Sequence, residues 1–184
     1  NYVRKVLASH GVLGTVVEWF ARVDDSPNAG DPYDDPTNYR KYALASVTTH
    51  DLPPTAGYLQ FEHVQLRERL HLLTESVESF QASATAERQA MLNRLRTLGL
   101  ISDEEADDAD SHIPQIVEAM HAMLRKSPSL LIQAALVDGV GERRTQNQPG
   151  TSDQYPNWRI PLADGEGNVV PLEKLFDEPR LQEI

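Results

Sequence analysis

Residues 43–54 read ALASVTTHDLPP, and this stretch decides the fold. Its first seven residues, ALASVTT, are apolar or small on both faces, the pattern of a parallel strand buried between layers. His50 and Asp51 come where that run stops, and Pro53-Pro54 bars an immediate helix. In parallel α/β folds, polar groups at the carboxyl ends of strands face the site crevice. An ionisable pair there suits a hydroxylated ligand, because a carboxylate accepts from two O–H groups and an imidazole can donate. The same residues also fit a plain turn, with Asp51 accepting from backbone amides beyond it and His50 half-buried. Spacing alone leaves both readings open.

Working outward, GTVVEWF (14–20) is a second, β-branched and aromatic strand candidate. Before it, YVRKVLASH (2–10) spaces Val3, Val6 and Leu7 along one helical face, with Gly11 suited to the C-cap. Between the two strands, residues 24–38 hold Pro27, Pro32, Pro36, Gly30 and five Asp, which predicts a long solvated connection. A helical turn is expected near Tyr39, before the strand. From Leu52 to Lys126 the pattern is helical: HVQLRERLHLL (63–73), AERQAMLNRLRTLG (86–99) and IPQIVEAMHAMLRK (113–126) are amphipathic. Ser102 and Glu105 form a capping-box pattern, and Pro114 fits a first helical turn. SLLIQAALVD (129–138) is a third buried-strand candidate, followed by a polar tail punctuated by Pro and Gly. Strands separated by loops and helices predict parallel α/β architecture. Three strands are too few to cover the apolar helix faces, so the chain reads as part of a larger fold.

The 184 residues suffice for one domain, and a formal charge of −11 would repel polyphosphates, which argues against nucleic acid as the main ligand. No apolar run approaches the ~20 residues of a membrane-spanning helix. With no Cys there are no disulfides, thiolate nucleophiles or Cys-ligated zinc, which fits a reducing compartment. The chain opens on Asn1 rather than Met, as expected of a processed or excised piece.

A second candidate region runs from Asp138 to Arg159 and contains Glu142, Arg143, Arg144, Gln146, Asn147, Gln148, Tyr155, Asn157 and Trp158. Amide side chains donate and accept together, which suits sugar hydroxyls, and an exposed aromatic face suits a pyranose ring. Trp158 equally fits a core plug. Tyr58, just past the His-Asp turn, fits a sugar platform or a packing residue, and Glu18 fits a site or a structural role. Neither His63/His71 nor His112/His121 has the i, i+4 spacing of helical zinc ligands, so no metal is expected. The acidic run 103–110 lacks the glycine of a calcium loop and reads as a solvated helix start. No Gly-rich phosphate loop or Ser-based nucleophile elbow is present, and no organic cofactor is indicated.

Taken together, GVLGTVVEWF, ASVTTHDLPPTAGYL and ALVDGVGERRTQNQPGTSDQYPNWRIPL resemble the carboxyl-terminal part of the 4-alpha-glucanotransferases, the amylomaltase or disproportionating-enzyme family (glycoside hydrolase family seventy-seven). The likeness rests on TTHDLP followed by NxPGT…NW, in that order. It implies a (β/α)8 barrel and a retaining double displacement that passes an alpha-1,4-glucan segment to the 4-hydroxyl of an acceptor glucan or glucose. It also implies maltooligosaccharides as partners and a cytoplasmic location. Within it, Asp51 would be the transition-state stabiliser, His50 would donate to the same sugar, and Asn147 would bind sugar in the loop after the last strand. Trp158 and Tyr58 are the remaining substrate-binding candidates.

The family's nucleophile and acid/base stretches have no counterpart here, so the chain is expected to be inactive alone and to need the N-terminal part of the enzyme. Residues 2–10 would be the helix after strand five, and the three strands would be strands six, seven and eight. Three units follow: a barrel portion over 1–55, a helical insertion between the last two strands over 56–128, and strand eight with its loop and tail over 129–184. Open sheet edges lead us to expect that the isolated piece either self-associates or is held together mainly by its helices. The alternative is a non-catalytic module that binds a glucan or a protein through Trp158, Tyr155 and the amide-rich loop.

Overall fold

A computed structural model of the chain describes residues 2–184. Helix α1 (Tyr2–Ser9) leads into strand β1 (Gly14–Val17), and β2 (Ala43–Ser46) follows a long loop braced by three short 3₁₀ turns. Five helices then come in succession: α2 (Thr55–Leu59), α3 (Glu62–Arg69), α4 (Val77–Thr97), α5 (Asp103–Asp107) and α6 (Ile113–Leu124). Strand β3 (Leu131–Gln133) and three helical turns, α7 (Leu136–Gly139), α8 (Leu172–Leu175) and α9 (Arg180–Glu183), complete the chain. The sheet is parallel, in the order β1-β2-β3, with Val17 level with Ser46 and Ser46 level with Gln133. No helix among the described residues is long and apolar enough to cross a membrane.

Local chemistry sets the helix ends. Gly11 and Gly99 take positive φ just past α1 and α4, where a Cβ would be strained. Ser102 and Glu105 close a reciprocal capping box on α5, and Pro114 lies in the first turn of α6. Helix α4 begins well before the amphipathic stretch at 86–99, because Ser76 caps it by accepting from the Ser79 amide. Helix α3 stops at Arg69, where His71 turns left-handed and the amides of His71 and Leu72 satisfy the last carbonyls. Near Tyr39 the expected helical turn falls earlier, at Pro36–Asn38, capped by Asp35.

The strands are shorter than their apolar runs. β1 leaves the ladder at Val17 and winds into a 3₁₀ turn, and β2 ends level with it at Ser46. SLLIQAALVD is not a buried strand: only Leu131–Gln133 pair, all three are exposed, and the chain then turns into α7. The reason is positional. β3 bonds to β2 on one side and forms the sheet edge on the other, leaving Leu131 51% and Ile132 45% accessible. Central β2 is the strand that is largely buried, as its composition predicts.

The main core lies between β2 and the helices. Met91, Leu92 and Leu95 of α4 meet Ile116, Met120, Met123 and Leu124 of α6, and the cluster is closed by Ala45 and Val47 from the sheet side and by Leu59 of α2. An aromatic stack joins this helical layer to the end of β1. Trp19 stacks on Tyr58 at 4.2 Å between centroids, Tyr58 on His63 at 4.2 Å, and Phe80 meets His63 edge-on at 5.9 Å.

Buried charges tie the same layers together. Glu18 Oε2 accepts from Arg94 Nη1 at 2.8 Å and from the Tyr39 hydroxyl at 2.9 Å, while Arg94 Nη2 donates to Tyr39 at 2.7 Å. Burial pushes the Glu18 carboxyl up, against the pull of the Arg94 guanidinium. Glu18 therefore holds α4 against the end of β1, which is the structural one of its two candidate roles. Arg22 donates to Glu87 at 2.6 Å and lies over the Tyr33 ring.

Two predictions follow from this packing. Arg94→Met leaves Glu18 buried without its partner and should destabilise the fold by about 3–5 kcal/mol. Adding Glu18→Leu should recover most of that loss, both read by chemical denaturation. His63 is the second case: burial, with a smaller contribution from Arg67, lowers its pKa from 6.5 to about 4. The fold thus favours the neutral ring, and the stability this group contributes is fully present above pH 6.5. It is lost as pH falls toward 4, because only the unfolded chain takes up the proton. Across that window His63→Phe should flatten the stability profile, removing a loss on the order of 3 kcal/mol.

Candidate functional site

Strand β2 delivers its chain into a tight turn. The Leu52 amide donates to the Thr49 carbonyl at 3.1 Å, and Thr48 Oγ1 donates to the Pro53 carbonyl at 2.9 Å. Those bonds place His50 and Asp51 at the tip, with side chains 61% and 51% exposed. Helix α2 begins immediately afterwards and is fastened from below. The Thr55 amide and hydroxyl donate to opposite oxygens of Asp138, each at 2.7 Å, and His121 Nε2 lies 2.9 Å from the same carboxylate. Because a carboxylate only accepts, that His nitrogen carries the proton. Asp138 and Thr55 are buried, and a Cβ on Gly57 would collide with the Arg143 carbonyl, so α2 is pressed onto the segment after β3.

That segment has its own anchor. Glu142 is buried and accepts from the amides of Arg143 and Arg144 at 2.9 Å each, from Ala163 at 3.0 Å, and from the Arg144 guanidinium at 2.6 Å. Burial alone would raise its pKa, but the Arg144 guanidinium and the backbone amides outweigh it and hold the carboxyl below its usual range. Glu142 and Arg144 are therefore loop staples rather than ligand contacts. Further along, the Tyr155 hydroxyl donates to the Thr145 carbonyl at 2.6 Å.

The two loops meet. Asn147 Nδ2 donates to Asp51 Oδ1 at 2.7 Å across 96 residues, and His50 Nε2 lies 3.4 Å from the other oxygen, Oδ2. Among the described residues no main-chain amide bonds the Asp51 carboxylate. Trp158 is 64% accessible, so it is not a core plug, and its ring lies 5.2 Å from that of His50. Next to His50 and Trp158 is a cavity of about 350 Å³, lined also by Thr49, Leu52, Gln133 and Gln146, with Asp51 and Asn147 outside its lining. It sits at the carboxyl ends of β2 and β3, where the sequence places the crevice.

Four of the five candidate residues thus come together. Tyr58 does not: its ring is sandwiched between Trp19 and His63 and its hydroxyl bonds Glu87, which corrects its reading as a substrate-binding residue. Both ring faces are already occupied. Asp138, Thr55 and His121, which position the site, escape sequence reasoning because they bond across 83 and 17 residues. A glycine in the middle of TAGYL was the one local sign of their tight docking. Among the described residues no group of three or more His, Cys, Asp or Glu side chains could hold a metal. The arrangement brings together an exposed carboxylate bonded by an amide, an imidazole beside it and a flat aromatic face nearby, groups that can exchange hydrogen bonds with hydroxyls.

Comparison with known proteins agrees with the resemblance seen in the sequence. The profile of the 4-alpha-glucanotransferase family matches residues 1–165. The 4-alpha-glucanotransferases of Mycobacterium bovis and Mycobacterium tuberculosis are 47% identical over 179 residues, covering 97% of this chain and 24% of each relative. The Haemophilus influenzae 4-alpha-glucanotransferase is 27% identical over 149 residues, covering 79% of this chain and 20% of the relative. A crystal structure of amylomaltase from Corynebacterium glutamicum superposes with a TM-score of 0.89 at 38% identity, over 99% of this chain and 26% of that one. The chain spans about a quarter of the length of the relatives it matches. With the profile match running through most of its residues and the fold held in common, the chain belongs to the 4-alpha-glucanotransferase family.

Proposed function

We propose that this chain is the carboxyl-terminal part of a longer cytoplasmic enzyme that transfers alpha-1,4-glucan segments to the 4-hydroxyl of an acceptor glucan or glucose. In this reading β1, β2 and β3 are strands six, seven and eight of a (β/α)8 barrel, and α1 is the helix after strand five. The corresponding units are residues 1–55, a helical insertion over 56–128, and 129–184. The nucleophile and the acid/base of the retaining mechanism come from the preceding polypeptide. Asp51 grips hydroxyls of the sugar distorted toward the transition state, His50 donates to the same sugar, Asn147 binds sugar and fixes Asp51, and Trp158 offers its ring face to a neighbouring unit.

One observation supports this reading above the rest: Asp51 keeps an accessible carboxylate edge while Asn147 and His50 hold it from the side, beside an exposed indole. A turn residue would instead spend its oxygens on main-chain amides. In the longer polypeptide, Asp51→Asn preserves size and removes charge. Glucose release from maltotriose should then fall by at least ~100-fold, the scale of losing one electrostatic stabiliser. Unchanged turnover would reduce Asp51 to a turn residue and end this reading.

The 184-residue chain by itself should show no transfer. It should also self-associate, because β1 and β3 have open edges and Leu130, Leu131 and Ile132 are about half accessible. Sedimentation velocity checks this: a concentration-independent monomer with no binding of an apolar dye is the contrary outcome.

A further inference from the structure

Asn147 is held to Asp51 by one hydrogen bond, yet it stands in a loop with no regular structure, so something must fix the backbone on either side of it. The residue before it and the residue after it are both tied to the same dipeptide. The Trp158 amide donates to the Gln146 carbonyl at 2.9 Å, and the Gln148 amide donates to Asn157 Oδ1 at 2.7 Å. Asn157 Nδ2 in turn donates to Thr151 Oγ1 at 2.9 Å, and that hydroxyl donates to the Gln148 carbonyl at 2.7 Å. Asn157 therefore uses both halves of its amide, which neither a carboxylate nor a hydroxyl can do in the same way.

The backbone pays for this arrangement at the next residue. Trp158 has φ +61°, the left-handed region that a bulky side chain rarely adopts. A strained conformation of this kind persists where neighbouring bonds over-determine it. Here the strained turn aims the Trp158 amide at Gln146 while its indole stands beside His50.

We infer that Asn157 is a positioning residue: it clamps the backbone flanking Asn147 so that the Asn147 amide reaches Asp51. The inference deepens the proposed function and rests on it for its kinetic consequence, but the clamp itself has a geometric readout. In the longer enzyme, a crystal structure of Asn157→Ala should show Asn147 Nδ2 withdrawn beyond hydrogen-bond distance of Asp51. A retained contact would overturn the clamp whatever the kinetics do.

The kinetic arm separates a clamp from a general loop staple. Asn157→Ala should lower kcat/KM for glucose release from maltotriose by roughly 10- to 100-fold, the scale of misplacing a substrate-positioning group. In an Asn147→Ala background the same change should cost little more, because its effect is already spent. Asn157→Asp keeps the acceptor for Gln148 and loses the donor to Thr151, so it should recover part of the activity. Equal losses from Asn157→Ala in both backgrounds would make Asn157 a staple of the whole loop and overturn the inference. Asp51→Asn serves as the control: if it leaves turnover intact, the functional reading fails, while the structure of Asn157→Ala still decides the clamp.

Discussion

The buried carboxylate of Asp138 is the point on which the site depends. It accepts from Thr55 at the start of α2, from His121 on α6, and it sits on α7 just after β3. Three segments distant in sequence are thereby fixed to one pair of oxygens, away from water. A carboxylate so placed has a strong demand for donors, since each one lost leaves a buried lone pair unsatisfied. That demand draws α2 down and carries the His-Asp turn with it. The turn then lies where the loop after β3 can touch it, and the Asn147–Asp51 bond is the consequence.

Ionic ties recur where α4 meets the segment after β1. Glu18 with Arg94 and Glu87 with Arg22 each join these two stretches, which apolar contact alone would leave loosely registered. A three-stranded sheet with strands of three or four residues offers little apolar area on either face. Hydrophobic burial is non-directional, whereas a bidentate or multiply bonded guanidinium fixes both distance and angle. The core between α4 and α6 thus supplies most of the attraction, and the ion pairs set where the helices come to rest. Arg22 and Arg94, two of the scarce cations of an acidic chain, are paired in this way.

Much of this was legible locally. The apolar run ending in His50-Asp51 and Pro53-Pro54 marks a strand end and a forced turn, and Gly99, Ser102 and Pro114 mark helix boundaries by their own backbone chemistry. Other features were not, because they belong to pairs rather than positions. Apolar residues in SLLIQAALVD read as buried, but burial requires neighbours on both sides and β3 has one. Tyr58 follows the turn closely, yet its place on α2 points it into the stack between Trp19 and His63 rather than toward the cleft. Arg94 is buried against a glutamate 76 residues away, a pairing that no local pattern marks. The resemblance to a family could bring His50, Asp51 and Asn147 into one site, but neither spacing nor propensity could supply the 2.7 Å bond between them.

The exposure of Asp51 bears on how such a site would work. At 51% accessibility its charge is surrounded by water, where two unit charges 4 Å apart interact by only about 1 kcal/mol. Near a closed protein surface the same pair is worth about 4 kcal/mol. A carboxylate that stabilises a developing positive charge on a sugar therefore gains most of its effect from whatever walls exclude water around it. Within this chain Trp158, Leu52 and Leu136 line the cavity next to His50, and Asp51 stands outside that lining. In the proposed enzyme the walls around Asp51 would come from outside the three strands, so the side chains proposed to grip the sugar and the surfaces that make the grip effective would be contributed by different parts of the polypeptide. Asn147 and Asn157 then have a purpose that precedes closure: they hold Asp51 and its loop in place while the site is still open to solvent, so that enclosing it requires no rearrangement of the groups already set.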